Sequence, residues 1–374
     1  MKRLSLFWKM IIILAALTIV LNALAFSRIF CDAYTDTVYS LISDIGGRIT
    51  DLFPFILGEL IMYLSALVIV SAVVLIILML PLRKKDAFRR FVLRYLKGIL
   101  LYVVIMLFIY TVNWFIPYRG KLLGGRFEAD TPCDEPHLLV LREYLIEKLN
   151  EEASIVPRDS DGKVIWPDDE TVRSEISTSM QALADDFPRL SGYYPKLKKA
   201  MCSEVLNYMN IGGYTYPFTM ELTGNRFVDR FYYPSLFAHE AAHHQGYYKE
   251  NEANYLSFLA CITSDDPALR YSGYMRAYYY VDKAYRSFYN DLTDEQKERY
   301  KSTAPSKQVT SDRAQSLALS DAEFEASKRL FRSFQKTAEK TAKVGWKTQG
   351  QVLASNGYDA VVLLILEYYN GILY

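Results

Sequence analysis

The chain has 374 residues, is 51% hydrophobic and carries a formal net charge of +1. That size allows one or two domains, and that charge balance excludes a strongly basic nucleic-acid binder. The apolar residues crowd into three long runs in the first third of the chain, while the rest has the mixed composition of a globular protein.

The first run, Phe7 to Phe26 (FWKMIIILAALTIVLNALAF), is long enough to cross ~30 Å of hydrocarbon at a helical rise of ~1.5 Å per residue. Lys2, Arg3 and Lys9 would suit a secretory signal peptide, but the apolar core exceeds the usual ~7–15 residues and no small-residue cleavage site closes it, so a retained span is expected. Phe53 to Leu82 forms a second span, longer than one crossing needs, with Glu59 near its hydrated end. A third runs from Gly98 to Pro117, with Trp114 and Tyr118 suited to the headgroup level.

Between the second and third spans lies RKKDAFRRFVLRYLK, whereas the segment from Ser27 to Leu52 contains only Arg28 and Arg48 as cations. The bias towards cytoplasmic Lys and Arg puts the basic loop and the N-terminus inside, and everything after Tyr118 on the extracytoplasmic side. The expected organisation is a transmembrane region over residues 1–118 and an extracytoplasmic domain over 119–374, in a multi-pass protein of the plasma membrane whose first partner is the lipid bilayer. Cys31, Cys133, Cys202 and Cys261 would then lie where disulfides are permitted, but their spacing selects no pairing, and Cys261 in LSFLACI suits a buried thiol.

After a Gly- and Pro-containing linker, helical patterns dominate. Pro136 to Glu152 sets Leu139, Leu141, Leu145 and Leu149 on an apolar face, and Glu170 to Phe187 and Tyr194 to Met209 continue the theme. GGYTYPFTMEL, residues 212–222, reads instead as an edge strand, because it is aromatic and β-branched and contains Pro217. A tyrosine-dense helix follows Cys261, then a polar segment from Thr293 to Ser320, a basic helix from Ala322 to Lys347, and a core helix from Tyr358 to Tyr369, too short to span a bilayer.

Residues 236–255, LFAHEAAHHQGYYKENEANY, hold three of the four histidines. His239-Glu240-Ala241-Ala242-His243 has the spacing H-E-x-x-H, which stands both imidazoles on one helix face to share a metal ion. Zn2+ suits nitrogen ligands and acidifies a bound water, and Glu240 can take that water's proton and pass it to a leaving amine. Ser235 is placed to cap the helix and Gly246 to end it. A second helical pattern at Glu250-Asn251-Glu252-Ala253-Asn254 can return a glutamate as third ligand. Glu250 and Glu252 stand ~200° apart on a helix, so only one can face the ion. Glu250 is favoured because it leaves Asn254 one turn on to hold a ligating imidazole; Glu252 is the alternative. His244 lies ~140° from His239 and is read as a bystander.

PFTMELTGN, HEAAHHQGYYKENEANYLSFLAC and RYSGY resemble signature blocks of the bacterial membrane-protein family termed domain of unknown function 3810, as do YTDTVYSLISDIGGRITDLFPFILGEL, NWFIPYRG and QGQVLASNGYDAVVLLILEYY. The resemblance implies a three-span anchor carrying a zinc-peptidase-like domain. A more distant similarity is to the gluzincin metallopeptidases, whose second zinc helix has the pattern E-x-x-x-D. It maps onto Glu250 and Asn254, with Asn in place of the usual Asp. In such enzymes an edge strand pairs with the extended substrate, which nominates GGYTYPFTMEL with Tyr214, Tyr216 and Phe218. Tyr274, Tyr278 and Tyr279 are candidates to donate to an oxyanion; Glu221 is another, read rather as satisfying nearby backbone at the strand end.

The expected fold is membrane-anchored and mainly α: three N-terminal transmembrane helices, then an α-rich (α+β), zincin-like domain with a small edge-strand sheet. The expected function is hydrolysis of an extracytoplasmic protein or peptide. The alternatives are a non-catalytic membrane scaffold or sensor with a structural or vestigial zinc site and, with little intramembrane charge to support it, a transporter or channel. The oligomeric state is left open.

Overall fold

The computed structural model describes residues 5–82, 84–121, 123, 135–327 and 360–374. The chain forms two compact units, one of Met1–Lys121 with Tyr216–Glu221, the other of Leu122–Thr215 with Leu222–Tyr374.

The first unit contains three helices long and apolar enough to cross a membrane. They are α1 (Leu6–Leu24), α4 (Leu57–Leu82) and a third that begins as α5 (Asp86–Tyr110), passes through a π turn at Thr111–Phe115 and ends as the short α6 (Ile116–Tyr118). Between α1 and α4 the chain is helical rather than looped, as α2 (Arg28–Tyr34), a π turn (Thr35–Tyr39) and α3 (Ser40–Thr50). The expected basic loop is also corrected. Most of its cations lie on the first three turns of α5, because Arg and Lys are good helix formers and no Gly or Pro interrupts before Gly98.

α4 starts at Leu57, after Pro54, and its first N–H groups need a cap. Glu221 supplies it: the buried carboxylate accepts from Leu57 N–H at 3.0 Å, Gly58 N–H at 2.8 Å and the Thr219 hydroxyl at 2.7 Å. Glu221 thus serves backbone, but not the nearby backbone expected: its partners open a helix more than 160 residues away in sequence. In the same unit Asn113 Nδ2 donates to the Pro217 carbonyl at 2.8 Å, and Met220 takes a left-handed conformation (φ 59°) with its side chain against Gly46.

The second unit is helical around a small sheet. α7 (Glu135–Ile155) and α8 (Asp169–Ala182) precede β1 (Leu197–Lys199), α9 (Ser203–Tyr208), β2 (Gly213–Tyr216) and β3 (Glu221–Gly224). The strand order is β1-β3-β2, and β1 pairs parallel with β3. Two expectations are corrected. Tyr194–Met209 is not one helix, because Pro195 breaks it and Leu197–Lys199 gains ladder bonds with β3. GGYTYPFTMEL is not one strand but a hairpin that turns at Pro217; β2 is nonetheless an edge strand.

α10 (Tyr233–His244), α11 (Glu250–Thr263) and α12 (Pro267–Asn290) pack together, with α7 against α12. α13 (Asp294–Arg299) and α14 (Lys307–Ser327) form in and beyond the polar segment from Thr293 to Ser320, for which the sequence predicts no element. Caps offset their poor apolar periodicity: Thr293 and Gln296 form a capping box, and Asp312 on α14 takes both guanidinium nitrogens of Arg158 at 2.8 Å. α15 (Ala360–Tyr369) contributes Val361, Val362, Ile365 and Leu366 to the core. Cys133 and most of the basic helix expected over Ala322 to Lys347 lie outside the described residues; Cys31 and Cys261 are buried thiols.

Replacing Glu221 by Ala leaves the part-buried N–H of Leu57 and the buried N–H of Gly58 without their acceptor, which costs about 2 kcal/mol for bonds to a charged group. Thermal melting of the detergent-solubilised protein should fall by several degrees for Glu221→Ala and less for Glu221→Gln, which keeps one acceptor oxygen.

Candidate metal centre

Every residue of α10 is buried, and the helix ends on Gly246 at φ +89°. Gly246 N–H donates to the His243 carbonyl and Tyr247 N–H to the Ala242 carbonyl, both at 3.0 Å, the paired bonds of a glycine-ended helix. Ser235, expected as the N-cap, lies inside the first turn instead; its carbonyl accepts from Ser257 at 2.7 Å and its hydroxyl lies 2.9 Å from that of Ser272. These contacts tie α10 to α11 and α12.

The turn returns the chain so that Glu250, the first residue of α11, faces the two histidines. Its Oε2 is 3.3 Å from His239 Nε2 and its Oε1 is 3.7 Å from His243 Nε2. The three donor atoms all lie within 4.8 Å of one another, and among the described residues they are the one such group of three. A tetrahedral ion with ligands at ~2.0–2.1 Å sets neighbouring donors about 3.3 Å apart, close to both separations.

Protonation shows why a cation fits. His243 Nδ1 lies 2.8 Å from the Tyr247 carbonyl, an acceptor, so this nitrogen carries the hydrogen and Nε2 offers a lone pair. Burial and the charge of His239 pull the His243 pKa down to about 4, which keeps the ring neutral. Burial would raise Glu250, but the hydrogen bond from His239 and the charges of His239, His243 and Arg276 outweigh it and hold the carboxyl at about 2. A neutral imidazole lone pair therefore faces an ionised carboxylate. Two acceptors in that arrangement repel, and an ion between them turns both into ligands. His239 shifts the other way: burial lowers its pKa, but the hydrogen bond and charge of Glu250 raise it further.

Glu252 does not belong to the group; its buried carboxylate accepts from Leu123 N–H at 2.7 Å. Asn254 makes no hydrogen bond to either imidazole among the described residues. The turn after Gly246 has already brought the Tyr247 carbonyl to His243, and His239 Nδ1 is buried without a hydrogen bond. His244 is fully buried and stands apart from the group.

Glu240 is buried beside the cluster, with Oε2 accepting from the Thr215 hydroxyl at 3.0 Å. Burial pushes its pKa up to about 7; His239 and Thr215 pull it down, and the charge of Glu250 pushes it up. A Cβ on Gly213 would lie 2.9 Å from Glu240 Oε1 and 2.7 Å from the Thr223 carbonyl, so β2 needs a glycine where it passes the carboxylate.

Strand alternation fixes which β2 residue faces Glu240. Thr215 does; Tyr214 and Tyr216 project from the opposite side, and Tyr216 packs on Phe218 at 5.4 Å and against Gly58 within the first unit. Tyr216 and Phe218 are thus engaged in packing, not presented along the strand. The candidate tyrosines are committed elsewhere too. Tyr274 packs on Phe258, Tyr278 donates to Asp282 at 3.1 Å, and Tyr279 is exposed. Sequence reasoning missed Arg276, whose guanidinium lies 4.5 Å from the Tyr232 ring and 4.6 Å from the Tyr280 ring and whose charge reaches His239 and Glu250. It also missed Thr215, which strand alternation between Tyr214 and Tyr216 could have found.

No curated protein and no solved structure matches this chain. The profile of one family, described as "Protein of unknown function (DUF3810)", matches residues 34–366, which include all of the second and third candidate spans and the whole histidine–glutamate cluster. The chain belongs to the DUF3810 family.

Proposed function

We propose that this protein is a membrane-anchored zinc metallopeptidase with a zincin-like second unit that hydrolyses an extracytoplasmic protein or peptide. The observation that carries the reading is the convergence of His239, His243 and Glu250 beside a buried glutamate poised near neutrality. The cluster has three members among the described residues, which leaves a coordination position for a reactant, as catalytic rather than structural zinc sites do. The extracytoplasmic placement rests on the cations at the start of α5, opposite the end of the span that leads into the second unit.

His239, His243 and Glu250 would hold the ion. When bound, zinc supplies Lewis-acid polarisation of the scissile carbonyl and acidifies water. Glu240 accepts a proton at a carboxylate oxygen and returns it to the leaving amine, a task suited to a pKa near the working pH. Thr215 holds Oε2, which leaves Oε1 on the Gly213 side to exchange the proton. The edge position of β2 leaves ladder groups for an extended peptide backbone.

Purified protein should contain one zinc per chain. Glu250→Ala should lower zinc affinity by about 10-fold or more, the size of effect seen even for groups that only support a ligand, while Glu252→Ala leaves it unchanged. Equal zinc loss in both variants, read by metal analysis after dialysis against a weak chelator, would refute the ligand assignment.

Glu240→Gln should keep its zinc and lose about 10²–10⁴-fold in peptide turnover, the span typical of a positioned acid–base group. The same substitution has a separate signature in metal-free protein. A carboxyl raised from 4.5 to about 7 stabilises the fold below 4.5, and that contribution is lost as pH rises through 7. Melting curves of metal-free wild type should therefore decline relative to Glu240→Gln between about pH 4.5 and 7.

A further inference from the structure

The two longest candidate spans are registered by hydroxyl pairs within the first unit. Ser65 Oγ lies 2.5 Å from Tyr102 Oη and Ser71 Oγ lies 2.5 Å from Tyr95 Oη. This antiparallel register sets Lys97 level with Ile69 and Val70, Arg94 with Val73, and Arg90 and Arg89 with Ile76 to Leu78. Lys97 Nζ also lies 5.9 Å from the Trp8 ring at the start of α1.

These levels expose a mismatch. The apolar part of the third span runs from Gly98 to Tyr118, about 30 Å of helix, and α1 starts at the Lys97 level, so together they match one hydrocarbon thickness. α4 continues past Ser71 to Leu82, about 17 Å further, and stays apolar. Val73, Val74, Ile76, Ile77 and Leu80 on that extension are each about half or more exposed, Leu80 at 75%. Beside them, α5 presents exposed Arg89, Arg90, Arg94 and Lys97 within ~140° of its circumference, with Lys84 and Lys85 at its entry and Asp86 as the one acid from Lys84 to Lys97.

An exposed apolar strip beside an exposed cationic strip is satisfied by neither water nor plain hydrocarbon. One class of molecule satisfies both: an amphiphile with an anionic headgroup, its phosphate on the α5 cations and its acyl chains along Val73–Leu80. Trp8, 38% exposed, adds an aromatic ring at the level where headgroup meets chain. We infer that the α4–α5 hairpin is a binding surface for anionic phospholipid. This inference does not depend on the metallopeptidase reading.

The test is native mass spectrometry of the full-length protein released from detergent micelles titrated with phosphatidylglycerol or phosphatidylcholine. Wild type should retain phosphatidylglycerol in preference by at least about tenfold, given the attraction each surface cation adds. The preference should vanish in the variant with Arg89, Arg90, Arg94 and Lys97 all changed to Gln, survive when the three arginines become Lys, and survive Arg28→Gln with Arg48→Gln. Should the quadruple variant fail to fold, wild type in rising salt replaces it, and the preference should collapse as the cations are screened. Equal retention of both lipids, a preference indifferent to neutralisation and salt, or a lipid-free dimer as the main species would each overturn the inference.

Discussion

The centre depends on one backbone reversal. Gly246 at φ +89° lets α10 stop just after His243 and lets α11 begin four residues after the glycine with Glu250 already facing the histidines. A residue with a Cβ pays a conformational penalty there, and a looser turn would carry Glu250 away from Nε2 of both rings. The same reversal delivers the Tyr247 carbonyl to His243 Nδ1, so a single turn sets both the spacing of the candidate donors and the tautomer of one of them.

That economy explains what could be read from the sequence. H-E-x-x-H and Glu250 were legible because helical periodicity is local: positions four apart share a face, and positions two apart do not. The same rule puts Asn254 on the face of Glu250, but it does not say that His243 is already satisfied from elsewhere. The bond to Tyr247 comes from a turn, outside helical periodicity. Thr215 and Gly213 belong to a strand 25 and 27 residues before Glu240, and only tertiary pairing brings them to it.

The fold divides along the same line. Three apolar runs, the helical second unit and the edge position of β2 follow from composition, periodicity and Pro217. The strand at Leu197–Lys199 does not, because its stabilisation comes from the ladder to β3 and its residues have no strong strand preference. α13 and α14 escaped because they rest on caps and ion pairs, whereas sequence reading weighs apolar spacing. Glu221 shows the limit most plainly: a backbone role at the strand end was legible, but the N–H groups it serves open α4, more than 160 residues away in sequence.

The buried centre has a thermodynamic consequence for the whole second unit. α10 carries three histidines and a glutamate through a fully buried helix, so the fold bears desolvation that apolar side chains would not impose. Part is relieved by Thr215 and Tyr247, and part by Glu240 taking up a proton near neutral pH. The facing lone pairs of His243 and Glu250 are relieved by neither, since the shifts that keep His243 neutral and Glu250 ionised are those that sustain the repulsion. A bound cation would remove that last cost, and it would bind the folded form because the turn at Gly246 sets the donor spacing there. Metal loading at the proposed site would therefore be linked to folding of the second unit, because the residues proposed to hold the ion are the ones whose burial costs the metal-free fold stability.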